Sequence, residues 1–323
     1  MRSTFLFALC ILIFPLHAQE PAPQTSILTI TTRLVSLDAV VRDAHGALVT
    51  NLTKDDFILK EDGHVVPIRY FNHDSDLPLT VGLLVDTSGS ESDYFSDEAA
   101  GSTLFLQNVL RPYLPATATT TPQQPDRAFI VRFDSQVLLL QAMTSSLPQL
   151  RNGLRLLSYK PDPLKNTHNG GTLLFDAIVN VCDKVVAKEA GRRALIIMTD
   201  GDDNRSVNDL STAIHSAQAA GVAIYSILYT REDPNYPNVG SAHPSGIGIM
   251  QQISHATGGR EFIVGRSGSI RQIYAAIEDD LRAQYRISFT PTPSRPHRFH
   301  PLDLRTTNSS LTVQSRTSYS TPE

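Results

Sequence analysis

The chain of 323 residues has little cysteine and no cluster of basic residues. Of its two cysteines, Cys10 lies in an apolar N-terminal run, so export with removal of that run would leave Cys182 alone. A disulfide within the mature chain is then excluded. The formal net charge of −4, without a basic block, argues against nucleic acid as the main partner. A chain of this length has room for one large α/β domain and a smaller module.

Long apolar runs are also rare. One such run covers residues 5–15, follows Met1-Arg2 and leads into Leu16-His17-Ala18, as in a secretory signal peptide. The run is too short to cross a bilayer as a stable helix, and no later stretch is long and uninterrupted enough to do so. We therefore predict a signal peptide over residues 1–18. The mature chain is expected to lack a membrane span and to be exported to the periplasm or the outside of the cell.

Recognisable catalytic motifs are missing. The chain has no Gly-x-Ser-x-Gly elbow, no Walker-type Gly-Lys-Ser/Thr loop and no Gly-x-Gly-x-x-Gly after the first central strand. Its histidines do not show zinc-ligand spacing. Cys182 shares a helical face with the apolar residues Leu174, Ala177, Ile178, Val181, Val185 and Val186. We therefore predict a buried, inert thiol rather than a nucleophile.

The middle of the chain alternates strands and helices, which predicts a doubly wound, mostly parallel α/β sheet. Strands are predicted at residues 80–85, 128–133, 137–142, 194–199, 223–228 and 260–264. Helices are predicted near residues 97–110, 147–156, 172–188, 208–220, 248–257 and 269–283. Asp134-Ser135 separates two apolar runs and predicts a hairpin, and therefore one antiparallel edge strand. The Ala-, Thr- and Pro-rich residues 115–125 are predicted to be a surface insertion.

Both flanks of this region show β patterns. Residues 26–71 contain short alternating segments, with turns predicted at residues 43–46 and 61–63. The tail alternates again at residues 285–289, 302–304 and 311–313. We interpret residues 19–77 as an N-terminal β-module, residues 78–285 as the α/β domain, and residues 286–323 as a β-segment that packs with residues 26–76. The alternative is two independent β-extensions of the α/β sheet.

Oxygen-bearing side chains follow the predicted strands. The apolar run ending in Val85 leads into Asp86, Ser88 and Ser90, and Asp200 follows another such run. Thr172 precedes the amphipathic segment after Gly170-Gly171. Loops at the carboxyl ends of strands bind ligands in open α/β sheets, and oxygen-only side chains suit a hard divalent cation. Each residue alone has a simpler interpretation, as a helix cap or a turn residue.

Taken together, Asp-x-Ser-x-Ser, the later Thr and the Asp-Gly pair resemble the von Willebrand factor type A (VWA) family and its metal-ion-dependent adhesion site. The segments 171–177 and 226–229 are similar to the secreted bacterial subgroup. The resemblance covers residues 78–285 and implies a Rossmann-like domain. It also implies that Asp86, Ser88, Ser90, Thr172 and Asp200 hold Mg²⁺ (or Mn²⁺ or Ca²⁺). An acidic residue of a partner protein would then complete the coordination of the ion.

Some neighbouring residues depart from that pattern or surround it. Glu91 and Asp93 follow Ser90, where the family often has an apolar residue, and a carboxylate there could fill the open metal position itself. His168 is expected on the rim of the site. The residues 202–204 that follow Asp200 are predicted to form a solvated acidic loop, with a supporting contact to the site as the alternative.

The sequence therefore favours a secreted, non-enzymatic module for cell adhesion or another protein–protein interaction that depends on a cation. One alternative is a structural or assembly component of the cell envelope, in which the metal only stabilises loops. The other is a metal-dependent hydrolase with Asp86 as nucleophile. That reaction needs a second carboxylate two residues later, where this chain has Ser88.

Overall fold

The structure is a computed structural model that describes residues 34–73, 77–88, 95–110, 124–157, 171–229, 246–292 and 298–321. The predicted signal peptide and the predicted strand residues before 34 lie outside these ranges. The same holds for Ser90, Glu91, Asp93 and His168, and for most of the predicted surface insertion. Among the helices described, none is both long enough and apolar enough to cross a bilayer.

Short strands joined by tight turns form the N-terminal flank. They are β1 (Val35–Arg42), β2 (Phe57–Glu61), β3 (His64–Val65) and β4 (Ile68–Asn72). The predicted turn after β1 is present, with Gly46 at a φ of 82° that favours glycine. The predicted hairpin between β2 and β3 is also present, and its backbone turns at Asp62 and Gly63 with φ values of 50° and 82°.

The central region alternates strands and helices as predicted. In chain order the elements are β5 (Leu79–Asp86), α1 (Phe95–Val109), β6 (Arg127–Phe133), β7 (Val137–Thr144), α2 (Leu147–Leu157), α3 (Leu174–Val181), β8 (Arg192–Thr199), α4 (Leu210–Ala219), β9 (Ala223–Leu228), α5 (Gly246–Thr257), β10 (Glu261–Ile263) and α6 (Ile270–Arg282). β5 is buried at every position because the parallel sheet is covered on both faces. Its Gly82 allows close packing, since a Cβ there would lie 2.4 Å from the Phe129 ring.

The helix predicted from residue 172 begins two residues later, at Leu174. In a helix starting at Thr172, the amide of Asp176 would donate to the Thr172 carbonyl, but it donates instead to the Ser206 hydroxyl at 3.0 Å. Thr172 therefore lies in a loop. The helix continues beyond Val181 as a π-helical turn, Cys182–Val186. Cys182 is buried, as predicted.

The six central strands lie in the order β10-β9-β8-β5-β6-β7. β10, β9, β8, β5 and β6 are parallel, whereas β7 pairs antiparallel with β6 at the edge, which confirms the predicted hairpin. One apolar core lies on the sheet face covered by α1, α2 and α6, and a second lies on the face covered by α3, α4 and α5. The domain is thus a doubly wound α/β fold.

The C-terminal flank contributes β11 (Tyr285–Phe289), β12 (Phe299–Thr306), β13 (Thr312–Ser315) and β14 (Ser318–Ser320). Together with the N-terminal strands these form two four-stranded sheets, in the orders β13-β1-β11-β4 and β14-β12-β2-β3. A third apolar core, which includes Leu37, Leu59 and Tyr285, contains residues of both sheets. None of the pairings in the described residues joins these strands to the central sheet. The domain limits at residues 77 and 285 remain a prediction.

Polar contacts join the flanking sheets to the α/β domain. Thr317 donates its amide to the Ala256 carbonyl at 3.0 Å, so the segment between β13 and β14 caps the end of α5. Asp280 of α6 is fully buried and forms ion pairs with Arg42 of β1 and with Arg260, whose Nη2 lies 3.4 Å from its Oδ2. Burial raises the pKa of Asp280 despite the two guanidinium groups beside it.

Candidate metal centre

Three strand ends meet at one edge of the central sheet. β5 ends at Asp86, which pairs with Phe133 at the end of β6, and β8 ends at Thr199 on the other side. The chain leaves β5 toward β6 and later returns on the opposite side as β8. The crevice between β5 and β8 is therefore a topological switch point, where open α/β sheets bind their ligands.

Asp86 lies at the bottom of this crevice and is 1% exposed. Its Oδ1 accepts a hydrogen bond from the Ser88 amide at 2.9 Å, and its Oδ2 accepts one from the Thr199 hydroxyl at 2.8 Å. Burial and, to a smaller extent, the negative charge of Asp200 raise the pKa of Asp86 against the lowering effect of these hydrogen bonds, and the net value is about 6. The site thus holds a desolvated carboxylate next to a second one.

The Thr172 loop is fixed against the loop that follows β8. The Thr172 amide donates to Asn204 Oδ1 at 2.9 Å, and its carbonyl accepts from the amides of Asn204 and Arg205 at 3.3 and 3.2 Å. On the other side, the Leu173 amide donates to the Asp134 carbonyl at 2.9 Å. Thr172 is buried, with 4% of its surface exposed. Because these hydrogen bonds come from two loops distant in sequence, the position of Thr172 depends on both loops.

Asp200 begins a tight turn. Its Oδ1 accepts the Asp202 amide at 3.1 Å, and the Gly201 amide donates to the Thr199 hydroxyl at 3.0 Å. Gly201 has a φ of 86°, and a Cβ there would lie 2.4 Å from the Gly246 carbonyl oxygen at the start of α5. Only glycine fits this position, which explains the Asp-Gly pair in structural terms.

The structure places four of the five predicted ligands, Asp86, Ser88, Thr172 and Asp200, in loops or strand ends around this crevice. Hydrogen bonding joins Ser88 to Asp86, and the charge of Asp200 acts on Asp86. Their role as metal ligands remains a prediction. The described residues contain no group of three or more His, Cys, Asp or Glu side chains placed to hold a metal. The predicted donor set is of another kind, because it combines two carboxylates with hydroxyl groups.

Residues 202–204 lie in a loop in which Asp202 and Asn204 are exposed, as predicted, but two of the three side chains also form hydrogen bonds that this interpretation did not include. Asp203 Oδ2 accepts the Phe175 amide at 2.9 Å, and Asn204 accepts the Thr172 amide. These two side chains satisfy backbone amides in the first turn of α3 or just before it, where an amide has no partner within the helix. Sequence reasoning also missed Thr199, which holds the Asp86 carboxylate. For Asp203 and Asn204, the sequence did offer a signal, because Asp, Asn and Ser often cap helices. That preference does not identify which helix is capped when the helix is distant in sequence.

An α/β domain of this topology, with carboxylate and hydroxyl side chains at its switch point, defines a class of ligand-binding domains. The family model for the von Willebrand factor type A domain matches residues 139–273. The chain therefore contains a VWA domain. VWA domains are typically interaction modules rather than enzymes, and they commonly bind a divalent cation. A comparison with curated proteins finds no match.

Solved structures with a similar fold include BatB from Bacteroides thetaiotaomicron, at 16% identity and a TM-score of 0.44, over 63% of this chain and 97% of that one. A von Willebrand factor type A protein from Catenulispora acidiphila has 10% identity and a TM-score of 0.43, over 91% of this chain and 75% of that one. Proximal thread matrix protein 1 of the mussel byssus, with a zinc-occupied MIDAS motif, has 13% identity and a TM-score of 0.47, over 70% of this chain and 50% of that one.

Proposed function

We propose that the VWA domain of this chain binds a divalent cation and uses it to hold an acidic residue of a partner protein. The ligands are Asp86, Ser88, Ser90, Thr172 and Asp200, and Mg²⁺ is the preferred ion, with Mn²⁺ or Ca²⁺ as substitutes. The partner's carboxylate takes the open coordination position. The protein is an adhesion-type module rather than an enzyme.

The observation that carries this proposal is the environment of Asp86. Its carboxylate is buried and has a raised pKa, and the neighbouring Asp200 adds like charge. Within the described residues, no ion pair involves Asp86. A divalent cation between the two carboxylates would offset both the desolvation and the repulsion. The residues that are present thus fit a hard cation.

The hydroxyl ligands support the second half of the proposal. Ser88, Ser90 and Thr172 are neutral, so they coordinate an ion without reducing its charge. Magnesium prefers six oxygen ligands in an octahedron and usually keeps some of its waters. A carboxylate from outside can replace such a water, and this exchange links metal binding to partner binding.

We further propose that the protein acts after export. The basic start, apolar run and small residue of residues 1–18 support a signal peptide. The site of action is then the periplasm or the cell exterior. The proposed domain division places the metal centre in residues 78–285, between the segments 19–77 and 286–323.

The test compares the mature wild type with Thr172→Ala in magnesium and in chelator. Thr172→Ala removes one proposed ligand hydroxyl, and Thr312→Ala on β13, an exposed position away from the central sheet, is the matched control. Magnesium should raise the thermal midpoint of wild type and control but much less that of Thr172→Ala. A partner isolated from envelope extracts should bind only with metal, and should lose binding when its own acidic residue is replaced.

Other outcomes identify the alternatives. Metal-dependent stability without metal-dependent binding favours the structural or assembly role. Turnover of a phosphate or ester substrate that Asp86→Asn abolishes favours the hydrolase. If chelator changes neither the stability nor the partner binding of the wild type, the proposed metal function is refuted.

A further inference from the structure

One arginine lies directly beside the Thr172 loop. A Cβ on Gly171 would lie 2.4 Å from Cδ of Arg205 and 2.6 Å from its Nε, so the arginine stem occupies the space that any other residue at 171 would fill. Gly171 also has a φ of 134°, where a side chain is strained. The absence of a side chain at 171 therefore lets Arg205 pack next to a proposed metal ligand.

The backbone of Arg205 is well fixed in this place. Its amide donates to the Thr172 carbonyl at 3.2 Å, and the preceding Asn204 accepts the Thr172 amide. The following Ser206 donates its amide to Asp203 Oδ1 at 3.2 Å and accepts the Asp176 amide. Because the loop is held on both sides of Arg205, little backbone freedom is left to lose when a ligand binds.

The charges around Arg205 show what its guanidinium group can recognise. Arg205 is exposed, and no ion pair of this residue is found within the described part of the chain. The segment of residues 200–208 contains no other positive side chain, whereas Asp200, Asp202 and Asp203 each carry a carboxylate. Without added positive charge, an acidic ligand would be repelled here.

We propose that Arg205 is a second anchor for the partner, which presents two carboxylates: one to the cation and one to the guanidinium group of Arg205. This inference rests on the proposed metal function. A guanidinium group binds a carboxylate through two parallel hydrogen bonds. The cation donates no hydrogen bonds, so it cannot take over this part of the binding. The partner's binding segment therefore contains a pair of acidic residues rather than a single one.

The test uses Mn²⁺ as the metal probe and glutarate as the two-carboxylate probe. Glutaramate, in which an amide replaces one carboxylate, is the matched single acid. Mn²⁺ affinity is measured by electron paramagnetic resonance. Acid binding is measured from the loss of water-proton relaxation as a carboxylate displaces a metal-bound water, with free Mn²⁺–acid complexes measured separately.

Wild type is expected to bind glutarate about tenfold more tightly than glutaramate, a difference of about 1.4 kcal/mol. Arg205→Gln should reduce this preference below about threefold, with Mn²⁺ affinity unchanged. Arg205→Met keeps an apolar stem over Gly171 and should also lose the preference, which separates charge from packing. The control Arg151→Gln removes an exposed guanidinium group from the first turns of α2 and should retain it.

The outcomes separate this inference from the function on which it rests. If Mn²⁺ does not bind, or binds and neither acid displaces water, both the metal proposal and the Arg205 proposal are overturned. If Mn²⁺ and both acids bind but wild type shows no preference, the role of Arg205 is overturned and the metal function stands. A preference for glutarate that persists in Arg205→Gln and Arg205→Met also overturns the role of Arg205 and leaves the metal function standing.

Discussion

Replacing Asp86 by asparagine should stabilise the metal-free protein near neutral pH and remove its response to magnesium. The physical reason is that the buried carboxylate is costly to ionise: its pKa is raised from 3.8 to about 6. A carboxyl group whose pKa is higher in the folded state binds its proton more tightly there than in the unfolded chain. Its stabilising contribution is therefore present below about pH 4 and is lost as the pH rises through 6.

The size of the effect follows from the shift. A difference of about two pKa units, at 1.36 kcal/mol each, corresponds to roughly 3 kcal/mol of stability lost between pH 4 and pH 7. Asparagine has no charge to desolvate, but its amide cannot accept both hydrogen bonds that Ser88 and Thr199 donate. The rearrangement costs about 1 kcal/mol, so the net gain of Asp86→Asn at pH 8 is about 2 kcal/mol.

The measurement is urea unfolding in chelator from pH 4 to pH 8, followed by far-ultraviolet circular dichroism of the helical signal. This signal reports the α/β domain, because all six described α-helices belong to it. Wild type should lose stability as the pH rises through 6, whereas the variant should lack this slope. At a hundredfold excess of magnesium over its Kd, wild type should gain about 2.7 kcal/mol and become the more stable protein.

Two results would refute this reasoning. If the variant is less stable than wild type in chelator at every pH, the burial of Asp86 is not a net cost. If both proteins respond equally to magnesium, Asp86 does not hold the ion.

Three further predictions concern residues away from the ligands or beside them. Asp280→Ala leaves the partly buried guanidinium group of Arg42 without its carboxylate and should lower stability by about 3 kcal/mol in urea unfolding, and an effect below about 1 kcal/mol would contradict this. Gly201→Ala places a Cβ 2.4 Å from the Gly246 carbonyl at a φ of 86°, so it should lower the thermal midpoint and weaken magnesium binding together. Cys182 is fully buried and its pKa is raised to about 12, so a thiol reagent should modify it only at the rate of unfolding; fast labelling of the native protein would show the site is open.

The central strands and helices were predictable because each has a strong periodic signal. Every predicted central element is present with limits that differ by at most two residues, when the π-helical turn Cys182–Val186 is counted with α3. β5 could be predicted because its residues are apolar at nearly every position, as in a strand buried on both faces. The hairpin at Asp134 was predictable because two apolar runs stand so close together that only an antiparallel pairing can join them.

The start of α3 shows where such reasoning fails. The amphipathic pattern extends back to Thr172, and local sequence alone places that residue in the helix. Its actual place in a loop depends on Ser206 and Asn204, which hydrogen-bond to Asp176 and Thr172 and lie 30 and 32 residues beyond these partners. Contacts of that range are set by the packing of β8 beside β5, which no local pattern encodes.

The metal centre divides in the same way between its chemistry and its geometry. The chemistry was predictable because Asp86 and Asp200 follow apolar runs, and parallel strands bring their carboxyl ends to one edge of a sheet. The geometry was not, since it depends on which neighbours hold the ligands. Thr199 ends β8 one position before Asp200, and its side chain is fully buried. From there its hydroxyl reaches Asp86 Oδ2. A threonine at that position has two roles, because the same hydroxyl accepts the Gly201 amide and so fixes the turn that carries Asp200. One hydroxyl therefore links the two carboxylates that the sequence identified separately.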